Sequence, residues 1–265
     1  MSALAVLQTE TGEAADGAAV VLDDVTKIFG SGERAMVVLE RLSLDVRQGE
    51  LLCLLGASGC GKSTILNLMA GLDTPTAGTV SVPAGRTTLM FQEAGLFPWL
   101  TAAENVGLPL RLQGQRRAQR DTEVRSLLGM VRLEPFAGHR PHQLSGGMRQ
   151  RVALARALAQ RGEVLLMDEP FAALDAITRD QLHVDLARVR AETGVTVVFV
   201  THDVREAVRL GDRIALISSR PGRLLEEFVL DGDRSSPAAH EKAAATIVPQ
   251  ITDLIRQELR RHGSG

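Results

Sequence analysis

The spacing of hydrophobic and polar residues changes along the chain, and it predicts strands in some segments and helices in others. Residues 20–25 and 42–46 alternate apolar and polar side chains, as half-buried antiparallel strands do. Residues 51–55 form a continuous apolar run that ends in glycine, which is typical of a strand buried on both faces. Residues 63–70 repeat apolar side chains at helical spacing, which predicts an amphipathic helix.

The second half of the chain predicts parallel strands joined by helices. Residues 164–167 and 195–200 are short apolar runs rich in β-forming residues. A helical pattern precedes each run, over residues 146–159 and 176–192 respectively, which favours helical crossovers in a parallel sheet. Residues 92–145 are mainly helical in pattern, and we expect them to form a lobe of their own. The fold class is therefore α/β.

The C-terminal part predicts two closing strands and a helix. Residues 213–218 and 224–230 are strand-like and flank a turn at Arg220–Pro221–Gly222–Arg223. The helix that follows has one apolar face, which favours packing against the domain body; this face consists of Ile247, Ile251, Leu254, Ile255 and Leu259. The expected organisation is a flexible leader (1–18), a main domain (19–232) with a helical lobe (about 93–158), a helical tail (233–262) and a remnant of an added linker (263–265).

Composition and charge narrow the class of protein. Hydrophobic residues make up 45% and charged residues 23%, as in ordinary globular proteins. The net charge of −2 gives no electrostatic reason to expect a nucleic-acid partner. No run approaches the roughly 20 apolar residues of a membrane-spanning helix, so we expect a cytoplasmic chain. Cys53 and Cys60 have neither disulfide nor zinc spacing, and we expect free thiols.

A glycine-rich segment after the apolar strand at 51–55 predicts phosphate binding. It reads Gly56–Ala57–Ser58–Gly59–Cys60–Gly61–Lys62–Ser63 and satisfies G-x4-G-K-[S/T] between a strand and a helix. Glycines allow backbone N–H groups to curl around phosphate oxygens, and the helix directs its positive end at them. Lys62 offers a charge to the β- and γ-phosphates, and the Ser63 hydroxyl can bind Mg²⁺. The strand–helix setting argues against a glycine-rich turn with a merely solvated lysine.

Two carboxylates follow the strand at 164–167. The carboxyl ends of strands are where α/β sheets bind ligands. We expect Asp168 to hold Mg²⁺ through water, and Glu169, turned the other way by the two-residue strand period, to reach the water that attacks the γ-phosphate. Alone, such a pair is more often a solvated loop. Together with the phosphate-binding segment, it predicts a nucleotide-hydrolysing site.

A second phosphate site is predicted where a helix begins at Leu144–Ser145–Gly146–Gly147–Met148–Arg149–Gln150–Arg151. Ser145 is a suitable N-cap, and two glycines permit close approach to an anion at the helix end. An ordinary capped helix would explain the serine but not both glycines. Here the chain resembles the ABC transporter ATPases, whose signature L-S-G-G-Q has a variable fifth position, occupied by Met148. The resemblance spans roughly residues 19–230.

The resemblance implies roles for isolated residues that would otherwise suggest little. Gln92 is similar to the Q-loop glutamine, which approaches Mg²⁺ and senses the membrane partner, and His202 to the switch histidine that contacts the γ-phosphate. Phe29 occupies the position of the aromatic that stacks on adenine. Asp175 lies in a segment similar to the D-loop, although Ala172 replaces the usual Ser or Gly. Taken singly, Gln92 and His202 would be loop residues and Phe29 a core aromatic.

The resemblance also implies an architecture, a ligand and an assembly. The architecture is a P-loop NTPase core of ABC ATPase type with an antiparallel β subdomain and an α-helical signature-motif subdomain. ATP and Mg²⁺ are the implied cofactors, and two subunits, identical or homologous, pair head to tail. The implied nucleotide contacts are Phe29, Gly56, Ala57, Ser58, Gly59, Cys60, Gly61, Lys62, Ser63, Thr64, Ser145, Gly146, Gly147 and Asp175; the metal contacts are Ser63, Gln92 and Asp168; the catalytic residues are Glu169, His202 and Gln92.

Two further segments indicate a branch of the family. Pro98–Trp99, together with Ser219–Arg220–Pro221–Gly222–Arg223, looks like the branch that imports nitrate, sulfonate, taurine or bicarbonate. This branch implies a transmembrane permease in contact near Phe97 and Trp99, and an extracytoplasmic substrate-binding protein that acts indirectly. The chain would then lie peripherally on the cytoplasmic face of a bacterial cell membrane.

Three alternatives to an importer subunit differ in how well they fit. An exporter subunit would share the same ATP chemistry. A non-transport ABC ATPase acting on DNA or ribosomes usually carries a long coiled-coil insert or two fused ATPase halves. A P-loop enzyme of another class, such as a small-molecule kinase, would lack the signature at residues 144–147.

Overall fold

The computed structural model describes residues 17–82, 87–230 and 237–262. Its strands are β1 (Ala18–Phe29), β2 (Met36–Arg47), β3 (Leu51–Gly56), β4 (Ala77–Ser81), β5 (Thr87–Met90), β6 (Val164–Asp168), β7 (Thr196–Thr201), β8 (Arg213–Ile217) and β9 (Leu224–Val229). Its helices are α1 (Lys62–Met69), α2 (Ala102–Leu112), α3 (Arg117–Met130), α4 (Gly146–Leu158), α5 (Ala176–Thr193), α6 (Val204–Leu210) and α7 (Pro237–His262). The leader predicted for residues 1–18 lies outside the described residues up to residue 16, as does the linker predicted at 263–265.

A six-stranded sheet forms the centre of the molecule, in the order β5-β6-β7-β3-β8-β9. Neighbouring strands from β5 to β8 are parallel, and only β9 runs antiparallel to its neighbour. All six residues of β3 are buried, as the continuous apolar run predicts. The predicted parallel sheet with helical crossovers is therefore confirmed.

A three-stranded antiparallel sheet, β2-β1-β4, packs beside α1. Its alternating pattern places every second side chain inward, so that Leu22 and Leu42 are buried in one cluster with Leu54 of β3 and Ile65 of α1. A fully buried leucine or isoleucine stabilises the fold by about 2 kcal/mol relative to an exposed one. This cluster holds the segment between β3 and α1 against the smaller sheet.

The helical segment between β5 and β6, for which the sequence predicts a lobe of its own, shares a hydrophobic cluster with the central sheet. Helix α2 packs against α3 and α4. However, Val106 of α2, Leu128 of α3 and Leu154 of α4 belong to the same hydrophobic cluster as Leu51 and Val197 of the sheet. The reason is that α4 also packs against β5, so its apolar side chains connect the helices to the sheet face.

The C-terminal helix α7 packs on the domain as predicted, with one exception. Ile251 is fully buried, and Ile247 and Ile255 pack against the main hydrophobic cluster. Leu259 is 51% exposed, because the last turns of α7 reach the edge of the domain, where Leu259 and the exposed Leu225 line the same small cavity. Among the described residues, no helix is both long and apolar enough to cross a membrane.

Candidate active site

The strand order brings the predicted site residues to one edge of the central sheet. Strand β7 lies between β3 and β6, with Thr201 paired to Leu55 on one side and Val200 paired to Asp168 on the other. Because these strands are parallel, the segments that follow them emerge side by side at the carboxyl edge. The glycine-rich loop, the two carboxylates and His202 therefore lie on neighbouring strand ends.

Packing and backbone conformation together explain the glycines of the loop between β3 and α1. Gly61 precedes α1 with φ of 103°, a left-handed conformation that favours glycine. A Cβ atom on Gly61 would lie 2.7 Å from Cδ2 of Leu39. One on Gly56 would lie 2.8 Å from the Ile217 carbonyl oxygen. The neighbouring strands β2 and β8 thus fix the path of the loop.

Lys62 lies inside this loop, and its side chain is almost fully buried. Its Nζ atom donates hydrogen bonds to the carbonyl oxygens of Gly56, at 2.8 Å, and Ala57, at 3.1 Å. In the part of the chain that the structure describes, no ion pair joins Lys62 to a carboxylate. A buried ammonium group without a countercharge is costly, so the site is electrostatically suited to an anion.

Glu169 and His202 are in direct contact at the ends of β6 and β7. Oε2 of Glu169 lies 3.0 Å from Nδ1 of His202. Glu169 has a φ of 43°, and its N–H donates to the Val200 carbonyl at 3.2 Å. The two-residue strand period does not extend to Glu169, as the sequence interpretation assumed, because β6 ends at Asp168. The left-handed turn at Glu169 instead directs its side chain toward His202.

A buried polar network beneath His202 was not found by sequence reasoning. The Thr201 hydroxyl donates to Oε2 of Glu206, and Oε1 of Glu206 lies 2.7 Å from Nε2 of His183 on α5. Thr201 Oγ1 also accepts from the Asp203 N–H at 3.0 Å. All three side chains of the network are at least nine-tenths buried. The network fixes both residues that flank His202.

Ser145 is the N-cap of α4, as predicted. Its Oγ accepts a hydrogen bond from the Met148 N–H at 3.3 Å, and the Ser145 side chain is exposed. Gly146 is partly exposed beside it, so the amino end of α4 is open to a ligand. Asp175 caps α5 in the same way by accepting from the Thr178 N–H, and this hydrogen bond holds the pKa of Asp175 below its ordinary value.

The structure gives Gly147 a packing role that the sequence interpretation did not include. The sequence interpretation assigned both signature glycines to close approach of a phosphate. Gly147 is buried, and a Cβ atom on it would lie 2.2 Å from Cγ2 of Thr178 on α5. Its missing side chain therefore makes room for α5, which explains the glycine through helix packing.

Gln92 lies in a segment that α4 holds by its backbone. Nε2 of Gln150 donates to the Gln92 carbonyl at 2.7 Å. The guanidinium group of Arg156 donates to the carbonyls of Ala94 and Gly95, each at 2.8 Å. Burial lowers the pKa of Arg156 from its ordinary value. The Gln92 side chain itself is exposed, so the helix fixes its backbone and leaves its amide accessible.

Phe29 and the two cysteines are placed as follows. Phe29 is 41% exposed at the end of β1, with Nζ of Lys27 4.8 Å from its ring centroid, so it is not a core aromatic. Cys53 and Cys60 are not joined in a disulfide, as predicted, and both are buried. Burial raises the pKa of Cys60, which keeps the thiol protonated at neutral pH.

Within the described ranges, no group of three or more acidic, His or Cys side chains is placed to hold a metal ion.

The aromatic residues before α2 project from the surface. Trp99 is 66% exposed, and its ring centroid lies 5.5 Å from that of Phe97. The fully buried Asn105 holds their backbone: its Oδ1 accepts from the Phe97 N–H at 2.9 Å, and its Nδ2 donates to the Phe97 carbonyl at 3.2 Å. The rings are thus presented to solvent by an ordered loop, as in a protein-interaction surface.

Comparison with known proteins agrees with this arrangement. The family model described as "ABC transporter" matches residues 39–172. The taurine import ATP-binding protein TauB of Burkholderia thailandensis is 42% identical, over 87% of this chain and 91% of its own length. The nitrate import ATP-binding protein NrtD of Synechocystis is 41% identical, over 82% and 85%. The spermidine/putrescine import ATP-binding protein PotA of Mesorhizobium japonicum is 44% identical over 80% of this chain, which spans 60% of that relative.

Solved structures include similar folds. The dimeric post-hydrolysis structure of the ATP-binding cassette MJ0796, bound to ADP and Pi, superimposes with a TM-score of 0.71. It is 38% identical and covers 81% of this chain and all of that one. The predicted fold class is confirmed by this likeness. On the family match and the identity to its relatives, the chain belongs to the ABC transporter ATPases.

Proposed function

We propose that this chain binds and hydrolyses ATP within a head-to-tail dimer and thereby energises an importer for a small anion. The observation that carries the proposal is the buried ammonium group of Lys62. Its hydrogen-bond partners among the described residues are the carbonyl oxygens of Gly56 and Ala57 and the Sγ atom of Cys60 at 3.9 Å, and none of them is a carboxylate. A triphosphate would supply the missing countercharge. The loop N–H groups and the positive end of α1 would add further donors for its oxygens.

The oxygen-bearing side chains near the loop fit Mg²⁺. Ser63 is exposed in the first turn of α1, and Asp168 is half-buried at the end of β6. Mg²⁺ prefers hydroxyl and carboxylate oxygens, uses few protein ligands and completes its shell with water and substrate phosphates. We assign Ser63 and Asp168 to this ion, with Gln92 approaching it. When bound, it neutralises charge on the β- and γ-phosphate oxygens.

Glu169 and His202 are proposed to orient the hydrolytic reaction. Phosphoryl transfer depends mainly on positioning and on stabilisation of charge, because its transition state is loose. Glu169 accepts a hydrogen bond from the attacking water with one carboxylate oxygen while the other binds His202 Nδ1. This contact leaves Nε2 of His202 to face the γ-phosphate. The buried network at Thr201 and Glu206 keeps the histidine in place.

The second phosphate site explains the need for a dimer. Ser145 and Gly146 lie at the open amino end of α4, whereas Lys62 of the same chain lies at the beginning of α1. In a head-to-tail pair, Ser145 of one copy completes the site around ATP held by the other. The dimeric state of MJ0796, whose fold is similar, supports this assembly.

The transported substrate is proposed from relatives. TauB and NrtD, named for taurine and nitrate import, match most of this chain, and we assign a nitrate, sulfonate, taurine or bicarbonate type of substrate. PotA, named for spermidine and putrescine, makes a polyamine the second candidate. A permease would contact Phe97 and Trp99 and hold the chain at the cytoplasmic membrane face, with a substrate-binding protein on the opposite side.

Reconstitution tests the proposal. The chain and its co-purified permease are placed in proteoliposomes with the binding protein, and phosphate release is measured with nitrate, taurine, bicarbonate or spermidine. Stimulation by one small anion is expected. Trp99→Ala should weaken co-purification of the permease, whereas Phe136→Ala, at another exposed aromatic in the helical segment, should not. Stimulation by spermidine would support the second candidate, and the absence of any permease would contradict transport.

A further inference from the structure

We propose that Glu258 of α7 is a positioning residue that fixes the phosphate-binding loop through the turn between β8 and β9. We define this turn, residues 218–223, as the bridge turn. The proposal rests on the proposed nucleotide binding, and it gives the C-terminal helix a part in the nucleotide site. The proposal rests on one path of contacts, which begins at Glu258, passes through Ser219 and Arg220 of the bridge turn, and ends at Gly59 in the loop.

Glu258 is buried at a position where the amphipathic pattern of α7 does not require a carboxylate. Its exposed fraction is 7%, and its Oε1 accepts a hydrogen bond from the Ser219 N–H at 3.2 Å. The full burial of Ile251 and the packing of Ile255 seat this end of the helix against the domain. A buried carboxylate is costly unless it is hydrogen-bonded. The hydrogen bond from the Ser219 N–H therefore offsets the burial of Glu258 and ties its carboxylate to the bridge turn.

The bridge turn is closed internally, so it moves as one unit. The Ser218 hydroxyl donates to the Pro221 carbonyl at 2.7 Å and accepts from the Arg223 N–H at 2.8 Å. The Ser218 N–H donates to the Arg223 carbonyl at 2.9 Å. A displacement at Ser219 therefore also displaces Arg220.

The bridge turn contacts two consecutive residues of the phosphate-binding loop, Gly59 and Cys60. Nη2 of Arg220 donates to the Gly59 carbonyl at 3.2 Å. Gly222 lies so close to the loop that a Cβ atom on it would be 2.3 Å from the Cys60 carbonyl oxygen. Arg220 and Gly59 are both exposed, so their hydrogen bond lies at the surface of the loop.

Helix α7 also approaches the loop directly. Gly56 and Ala57, at the beginning of the loop, line a small cavity together with Ile255 and Glu258. The loop is thus bounded at its start by α7 and at Gly59 by the bridge turn, which α7 holds. Neither contact involves Glu169 or His202. The position of α7 should therefore affect nucleotide affinity and leave the hydrolytic step unchanged.

The test measures ADP affinity and ATP hydrolysis with the full chain carrying Glu258→Ala, Glu258→Gln, Arg220→Ala or both alanine changes. Glu258→Ala should weaken ADP binding and raise KM for ATP about fivefold, the factor expected when one hydrogen bond of ordinary strength is lost, with kcat unchanged. Glu258→Gln keeps an oxygen that accepts from the Ser219 N–H and should retain most of the affinity. Asp253→Ala, on the exposed side of α7, is the matched control.

Three outcomes would overturn the proposal. These are unchanged ADP affinity in folded Glu258→Ala, a fall in kcat without a change in KM, and strictly additive effects of Glu258→Ala and Arg220→Ala, since residues on one path should be non-additive. If Glu258→Ala does not fold, Glu258→Asp, which withdraws the carboxylate by one methylene group, replaces it. Failure of the unmodified chain to bind ADP would instead contradict the proposed function.

Discussion

Oε2 of Glu169 lies 3.0 Å from Nδ1 of His202, and this contact joins the ends of β6 and β7 at the edge of the sheet. The backbone of the glutamate is left-handed at this point, with a φ of 43°. The distance between the two side chains therefore depends on the neighbouring positions of β6 and β7 and on the backbone conformation of Glu169. Changes to either side chain should affect hydrolysis much more than folding.

Glu169→Gln should abolish most ATP hydrolysis and preserve ATP binding. The amide has nearly the same shape but is a much weaker proton acceptor, so we expect phosphate release to fall by about 10²–10⁴-fold. ATP should then hold the dimer together, which size-exclusion chromatography with ATP detects. Glu192→Gln, at the exposed end of α5, is the control. Brisk hydrolysis by Glu169→Gln would contradict the assigned role.

Lys62→Ala should lose nucleotide affinity without loss of fold. Hydrogen bonds to charged groups contribute about 1.5–3 kcal/mol each, so calorimetry should show ADP binding weaker by roughly 10–100-fold. Removal of a buried ammonium group that has no carboxylate partner among the described residues should leave the thermal midpoint of the ligand-free chain unchanged or higher. Unaltered ADP affinity would count against the phosphate-binding loop.

Gly147→Ala should destabilise the contact between α4 and α5. The new methyl group would overlap Cγ2 of Thr178, and overpacking of this kind costs about 1–3 kcal/mol. Thr178→Ser removes that methyl group, keeps the hydroxyl that bonds to Asp175, and should restore stability in the double variant. Chemical denaturation measures both effects. If Gly147→Ala were as stable as the unmodified chain, the packing explanation would be wrong.

Arg156→Ala should loosen the backbone of residues 92–95. This change removes the donors to the carbonyls of Ala94 and Gly95, whereas Gln150 still holds Gln92. Hydrogen–deuterium exchange should become faster in that segment and remain unchanged in α7. Arg125→Ala, on the exposed face of α3, provides the comparison. Equal exchange in the two variants would show that Arg156 does not hold the segment.

The thiol of Cys60 should react slowly with alkylating reagents at neutral pH. Burial raises its pKa in the folded chain, so the protonated thiol is favoured by folding. The stability that results is fully present below the unfolded-state pKa and is lost as pH rises through the folded-state pKa. The denaturation midpoint of the native sequence should therefore fall more than that of Cys60→Ala between about pH 7 and pH 10. Parallel pH curves would contradict this.

Much of the fold could be predicted because its determinants are local. The apolar run of β3 requires burial on both faces, and Ser145 accepts from the Met148 N–H within the first turn of α4. The phosphate-binding segment likewise lies between one strand and the helix that follows it. For these features, the residues that interact are close in sequence, so their spacing is informative.

Other features could not be predicted because they join distant segments. The hydrogen bonds from Gln150 to Gln92 and from the Ser219 N–H to Glu258 depend on which elements pack together. The packing of Gly147 against Thr178 could not be predicted, because Thr178 lies on another helix. The same limitation applies to the hydrophobic cluster that the helical segment shares with the sheet.

The pairing of β3 has a consequence for synthesis of the chain. Leu51 pairs with Val197 and Leu52 with Arg213, so β3 leaves the ribosome long before either neighbouring strand has been made. Until then this apolar strand has no backbone partners and is prone to aggregation. Its pairing with β7 and β8 is slow, because the strands are far apart in the sequence. The ability to bind nucleotide therefore arises late in biogenesis, after β8 has emerged, and nascent chains that end before β8 should depend on chaperones.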